Sequence, residues 1–107
     1  RTDNTNFHYR CYYGKIGEMS FVAHLDMVRM FQRILRISGL PIVYSHGFNI
    51  HPRLSAGPPL PIGVQGENEY FDFMLSEEQS SAEISEAVKN SFPNELQFKK
   101  IESIPNK

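Results

Sequence analysis

Phe7-His8-Tyr9-Arg10-Cys11-Tyr12-Tyr13 sets two kinds of residue in alternation. In an extended chain Phe7, Tyr9, Cys11 and Tyr13 fall on one side, and His8, Arg10 and Tyr12 on the other. A period of two in aromatic-rich sequence predicts a half-buried strand. Gly14 and Gly17 are expected to end it. Residues 69–75 repeat the pattern, with Phe71, Phe73 and Leu75 on one face. Residues 96–101 do so less regularly: Leu96 and Phe98 turn inward, and an irregularity is expected at Lys99-Lys100. The short, partly β-branched segment 41–44 is expected to be a strand as well.

Helical spacing fills the gaps between these strands. Ser20 can accept a backbone N–H as a helix cap, and the helix is expected over residues 21–38. Met27, Val28, Phe31, Ile34 and Leu35 recur at helical intervals and form one apolar stripe. Gly39 suits the left-handed position past the helix end, and Pro41 forbids continuation. Ser80-Ser81-Ala82-Glu83 reads as a reciprocal capping box. The shorter helix it opens carries Ile84, Ala87 and Val88 inward and stops before Pro93. The resulting order, β-α-β-β-α-β, predicts an α+β fold of ferredoxin-like type: a four-stranded antiparallel sheet with two helices on one face. Residues 45–68 hold Gly47, Gly57, Gly63, Gly66, Pro52, Pro58, Pro59 and Pro61. They also carry Phe48, Ile50, Leu54, Leu60, Ile62 and Val64, which is too much apolar surface for a floppy linker. An ordered loop packed on the domain is expected, with Phe48 as its anchor.

The chain's 107 residues allow one domain, with apolar (40%) and charged (21%) contents ordinary for a globular fold. Only the polar ends, residues 1–6 and 105–107, read as unstructured. The single cysteine, Cys11, excludes an internal disulfide and fits a reducing compartment. No apolar run reaches the roughly 18–20 residues of a bilayer span, and the start has no signal-peptide pattern. A cytoplasmic domain without membrane contact is expected. The net charge of −1 hides an asymmetry. Residues 1–60 hold seven basic and three acidic groups; residues 61–107 hold four basic and nine acidic ones. The first half could face an anion while the second stays solvated.

Two clusters could act on such a partner. Arg29, Arg33 and Arg36 share the helix face opposite the apolar stripe and could present guanidinium forks to phosphates or carboxylates. The plain alternative is a solvated face with one Asp26–Arg29 pair. His46, Asn49, His51 and Arg53 crowd a turn that Gly47 permits and Pro52 stiffens. Together these seven residues are the expected substrate-binding set. On the sheet, His8, Arg10, Tyr12, Tyr70 and Met74 could point outward as an aromatic platform of the kind RNA-binding sheets use, although the signature of such domains is missing.

Catalysis finds less support. Cys11 lies on the inward strand face, as a core thiol would. No nucleophile elbow and no phosphate-cradling glycine loop occurs. His24, Asp26, His46 and His51 are metal-ligand types, but His24 and Asp26 project about 200° apart on a helix. No metal and no cofactor is expected. His24, Asp26 and His51 remain the candidates for acid–base groups.

A wider pattern now emerges. Ala23-His24-Leu25-Asp26, Arg29 and Arg33, Gly39-Leu40-Pro41, Gly47-Phe48-Asn49-Ile50-His51-Pro52-Arg53, Pro59-Leu60-Pro61-Ile62-Gly63-Val64 and Glu69-Tyr70 follow one another in order. Over about residues 8–105 the chain resembles the radical-SAM-linked domain of unknown function. It departs at Ala23, where that family has Ser, and at Ile50, where it has Pro. The family domain is usually longer, so the resemblance implies that residues 1–107 are the N-terminal part of a larger unit. It also implies an accessory role beside a radical SAM protein, with RNA a candidate substrate. The chain lacks the Cys-x-x-x-Cys-x-x-Cys pattern of the radical enzyme itself. The leading expectation is therefore an accessory domain that recognises an anionic substrate. A protein-docking module without nucleic acid and an acid–base enzyme are the alternatives.

Overall fold

Tyr9, Cys11 and Tyr13 all turn into the core, and the strand they define is the spine of the sheet. In the computed structural model, which describes residues 6–105, this strand, β1, runs Phe7–Lys15. It passes through Gly14, so the glycine expected to end the strand does not. β2 is Leu54–Ala56, β3 Gly66–Leu75 and β4 Gln97–Ile104. The sheet order is β2-β3-β1-β4, with every pairing antiparallel. Helices α1, His24–Ile37, and α2, Ser81–Ser91, complete the ferredoxin-like β-α-β-β-α-β order. No helix among the described residues is long and apolar enough to cross a membrane. The expectation of unstructured ends falls mostly outside the described residues.

α1 buries Met27, Phe31, Ile34 and Leu35, with Val28 half-buried beside them. Phe31 stacks on Phe71 of β3 with centroids 4.2 Å apart and meets Tyr13 of β1 at 5.0 Å. α2 buries Ile84 and Val88 and opens with the expected capping box between Ser80 and Glu83. Gly39 has φ 81°, the left-handed turn that releases the chain from α1. In β4, Tyr12 faces Lys100 and Tyr13 faces Phe98. Lys99 is thus the extra residue of a bulge, at the expected irregularity.

Two local expectations are corrected. α1 does not begin at Phe21 and Ser20 does not cap it. Gly17, at φ 61°, starts a 3₁₀ turn over Gly17–Phe21, in which the buried Ser20 hydroxyl donates to the Gly17 carbonyl at 2.7 Å. Lys15 Nζ donates to the Val22 carbonyl at 2.7 Å, and Val22 is extended, so the helix starts only after Ala23, without a side-chain cap.

The second correction concerns the edge strand. Residues 41–44 make only isolated bridges, Ile42 to Leu75 and Tyr44 to Pro52. The strand itself is β2, inside the segment expected to be all loop. The chain touches the end of β3 through Val43 N–H to the Met74 carbonyl (3.1 Å), leaves at Tyr44, and returns at Pro52. One edge is thus divided by an excursion over residues 45–51.

The stacked Phe31 has no exposed surface, so its truncation leaves a cavity between helix and sheet. Phe31→Ala is expected to lower the unfolding free energy in urea by about 3–5 kcal/mol. Ser80→Ala, which removes one cap, should cost only about 1 kcal/mol.

Candidate functional site

The face of the sheet away from the helices is built by the alternation that fills the core. β1 contributes His8, Arg10 and Tyr12; β3 contributes Tyr70, Asp72 and Met74. The register sets Arg10 between Asp72 and Glu102, Tyr12 between Tyr70 and Lys100, and His8 between Met74 and Ile104. Arg10 grips Asp72 with two parallel bonds, Nε to Oδ1 at 2.7 Å and Nη2 to Oδ2 at 2.9 Å. The bond to Asp72 raises the Arg10 pKa above its ordinary value.

The aromatic platform expected here does face outward, but its rings are occupied. The Arg10 guanidinium lies 4.1 Å from the Tyr70 ring centroid and Lys100 Nζ lies 4.9 Å from that of Tyr12. The Tyr12 hydroxyl donates to Glu102 at 2.8 Å, which raises its pKa.

At the end of this face where β1 begins, a cleft of about 420 Å³ opens between the sheet and the neck of the 45–51 excursion. Its floor includes His8, Asp72, Met74 and Ile104; its wall includes Ser45, His51 and Arg53. The neck is braced. Ser45 N–H donates to the His51 carbonyl (2.8 Å), Arg53 N–H to the Val43 carbonyl (2.9 Å), and His51 N–H to the Ser45 hydroxyl (3.2 Å). Pro52 is buried. His51 Nδ1 lies 3.1 Å from the Pro52 carbonyl and 3.3 Å from Gln32 Nε2 of α1. The two contacts need opposite tautomers: a proton on Nδ1 serves the Pro52 carbonyl, whereas a bare Nδ1 accepts the Gln32 N–H; Nε2 has no partner among the described residues. Arg53 is exposed and makes no ion pair among the described residues, whereas Asp72 is already held by Arg10.

The seven residues expected to form one substrate surface are divided by the fold. His51 and Arg53 stand on the cleft wall. His46 and Asn49 are exposed farther out on the excursion, away from the cleft lining. Arg29, Arg33 and Arg36 are exposed on α1 and do not line the cleft. Arg29 pairs with Asp26 at 3.3 Å, with both side chains largely exposed. His24 and Asp26 sit in the first turn of α1. That turn follows the end of β1, where Lys15 pairs with Gly66, and the cleft is at the other end of the strands. The acid–base candidates His24, Asp26 and His51 therefore do not meet. Among the described residues no three His, Cys, Asp or Glu side chains converge as a metal site would require.

Phe48 is not an anchor: it stands fully exposed at the tip of the excursion, where Gly47 turns at φ 108°. Ile50, Ile62 and Val64 are exposed too, and only Leu54 and Leu60 are half-buried, so the loop is held by its neck rather than by apolar packing. Asp72 and Ile104 of the cleft escaped sequence reasoning. The alternation around Tyr70 and Met74 signalled that Asp72 faces outward, but its pairing with Arg10 needs the strand register.

Two outcomes follow from burial. Phe48→Ser should change the unfolding free energy by no more than about 0.5 kcal/mol, which urea titration would check; a larger loss would mean that the ring packs after all. Cys11 is fully buried, and desolvation raises its thiol pKa. It should resist iodoacetamide at pH 8 in the native state and react only on unfolding, as mass spectrometry would record.

No curated protein and no solved structure matches the chain. A family model does, over residues 8–107, and so spans both faces of the sheet and the whole cleft. The chain belongs to the family described as "Uncharacterized protein conserved in bacteria (DUF2344)".

Proposed function

We propose that this domain is a recognition module that binds an anionic substrate and works beside a radical SAM enzyme in the cytoplasm, without performing chemistry itself. One observation carries the substrate class. Arg53 and His51 share the cleft wall with no acidic partner among the described residues, while the carboxylate of the cleft floor, Asp72, is held by Arg10. The cleft thus has a cationic group whose hydrogen-bonding fork is open to a carboxylate or phosphate. Support for the radical SAM partner is the resemblance of residues 8–105, from the Ala23-His24-Leu25-Asp26 run to Glu69-Tyr70.

A second reading, RNA bound along α1, draws on Arg33 and Arg36, which are exposed and unpaired among the described residues. Its affinity would be dominated by phosphate contacts and would fall steeply with salt.

Amide chemical shifts recorded during titration with inorganic phosphate and with a short mixed-sequence RNA separate these readings. At low salt, the shifts should centre on His51 and Arg53, fade as salt rises, and vanish in Arg53→Gln. Shifts confined to the outer face around Arg33 and Arg36 would move the site to the helix. No shift at low salt with either probe would refute anion binding and leave protein docking as the function.

A further inference from the structure

Resting on the reading just given, the cleft also has a ligand class. We infer that it takes a single small acid carrying an apolar body, rather than a stretch of polymer.

Three features lead there. The cleft has two chemically distinct halves. Arg53, His51 and the Ser45 hydroxyl stand at the excursion neck, whereas Met74 and Ile104 lie on either side of His8 across the sheet. An acid group seated against Arg53 leaves the remainder of the molecule over the methionine and isoleucine side chains. Removing that apolar surface from water adds affinity that a bare anion cannot gain.

The volume is the second feature. About 420 Å³ lies in the range of roughly 300–1,000 Å³ typical of small-molecule sites, and is too little for several nucleotides.

The third feature is what blocks a longer ligand. A strand of nucleic acid laid across the sheet would leave the cleft over Arg10, Tyr70 and Tyr12. That path is crossed by the Arg10–Asp72 bridge, and a cation already lies on the face of each tyrosine ring. Base stacking, the main source of sequence-tolerant affinity on such sheets, would have to displace both cations. The floor also supplies orientation. Asp72 is bound to Arg10 on one side only of each carboxylate oxygen, so it can still accept a bond from a ligand N–H or O–H.

Isothermal titration of the intact chain with inorganic phosphate, phenyl phosphate, phenylacetate and a short RNA tests this. Phenyl phosphate should bind at least about tenfold tighter than inorganic phosphate, equivalent to about 1.4 kcal/mol. Phenylacetate binding as well would make the acid group general; its failure beside phenyl phosphate would narrow the acid to phosphate and still support the apolar body. Met74→Ser should narrow the gap between the two phosphates, and Arg53→Gln should weaken both. The comparison of probes on the unaltered chain stands even if a variant fails to fold. Equal affinity for phosphate and phenyl phosphate would overturn the inference. So would RNA that shifts the His51 and Arg53 amides while neither small aromatic acid binds, but that result would leave the anion-recognition reading intact. Absence of binding by all four probes would overturn both.

Discussion

Phe31 lies 4.2 Å from Phe71, and this stacked pair sets the roll of α1 on the sheet. Tyr13 closes on the same ring from β1 and Phe73 flanks Phe71 on β3, so helix and two central strands share one aromatic cluster. Protein interiors are packed too tightly for the helix to turn without opening a void. Once Phe31 points into the sheet, its neighbour Gln32 must lie along the flank, where it meets His51. The same roll leaves Arg29, Arg33 and Arg36 exposed. A core contact thereby decides which polar residues can reach the cleft.

On the other face the organising contact is electrostatic. Arg10 and Asp72 are opposite one another on β1 and β3, and each is about three-quarters buried as a side chain (28% and 24% exposed), so their paired bonds are shielded from solvent more than a surface ion pair would be. The pair neutralises the cleft's described carboxylate and lays a cation on Tyr70. The effect is a floor whose carboxylate is already paired, under a wall that carries Arg53. This division of charge arises from strand register, because each partner is one residue removed from a core position on its strand.

The excursion over residues 45–51 links the two faces. Its neck belongs to the sheet edge: Tyr44 bridges Pro52, and β2 resumes two residues later. Its tip carries Phe48 into solvent. The loop therefore keeps its shape through backbone bonds and a buried proline, and its apolar tip contributes nothing to holding it. His51 Nδ1 lies between the Pro52 carbonyl of the neck and Gln32 of the helix, and the ring tautomer decides which of the two it bonds.

What the sequence determined by itself was local or periodic. Alternation marked Tyr9, Cys11, Tyr13, Phe71 and Phe73 as core and, by the same count, His8, Arg10 and Tyr70 as outward. Helical spacing marked the stripe from Met27 to Leu35, and the Ser80 capping box and Gly39 turn appeared where their chemistry required. These features depend on residues within a turn or two of one another. Tertiary structure alone decided the rest. Lys15 took the Val22 carbonyl and delayed α1. β2 formed at residues 54–56 because β3, not its own weak pattern, offered the pairing edge. Arg10 met Asp72 across 62 residues, and His51 and Arg53 came to the cleft while the helix arginines did not. Each of these outcomes turns on register or on which face of a layer a residue occupies, and neither exists until distant segments have packed.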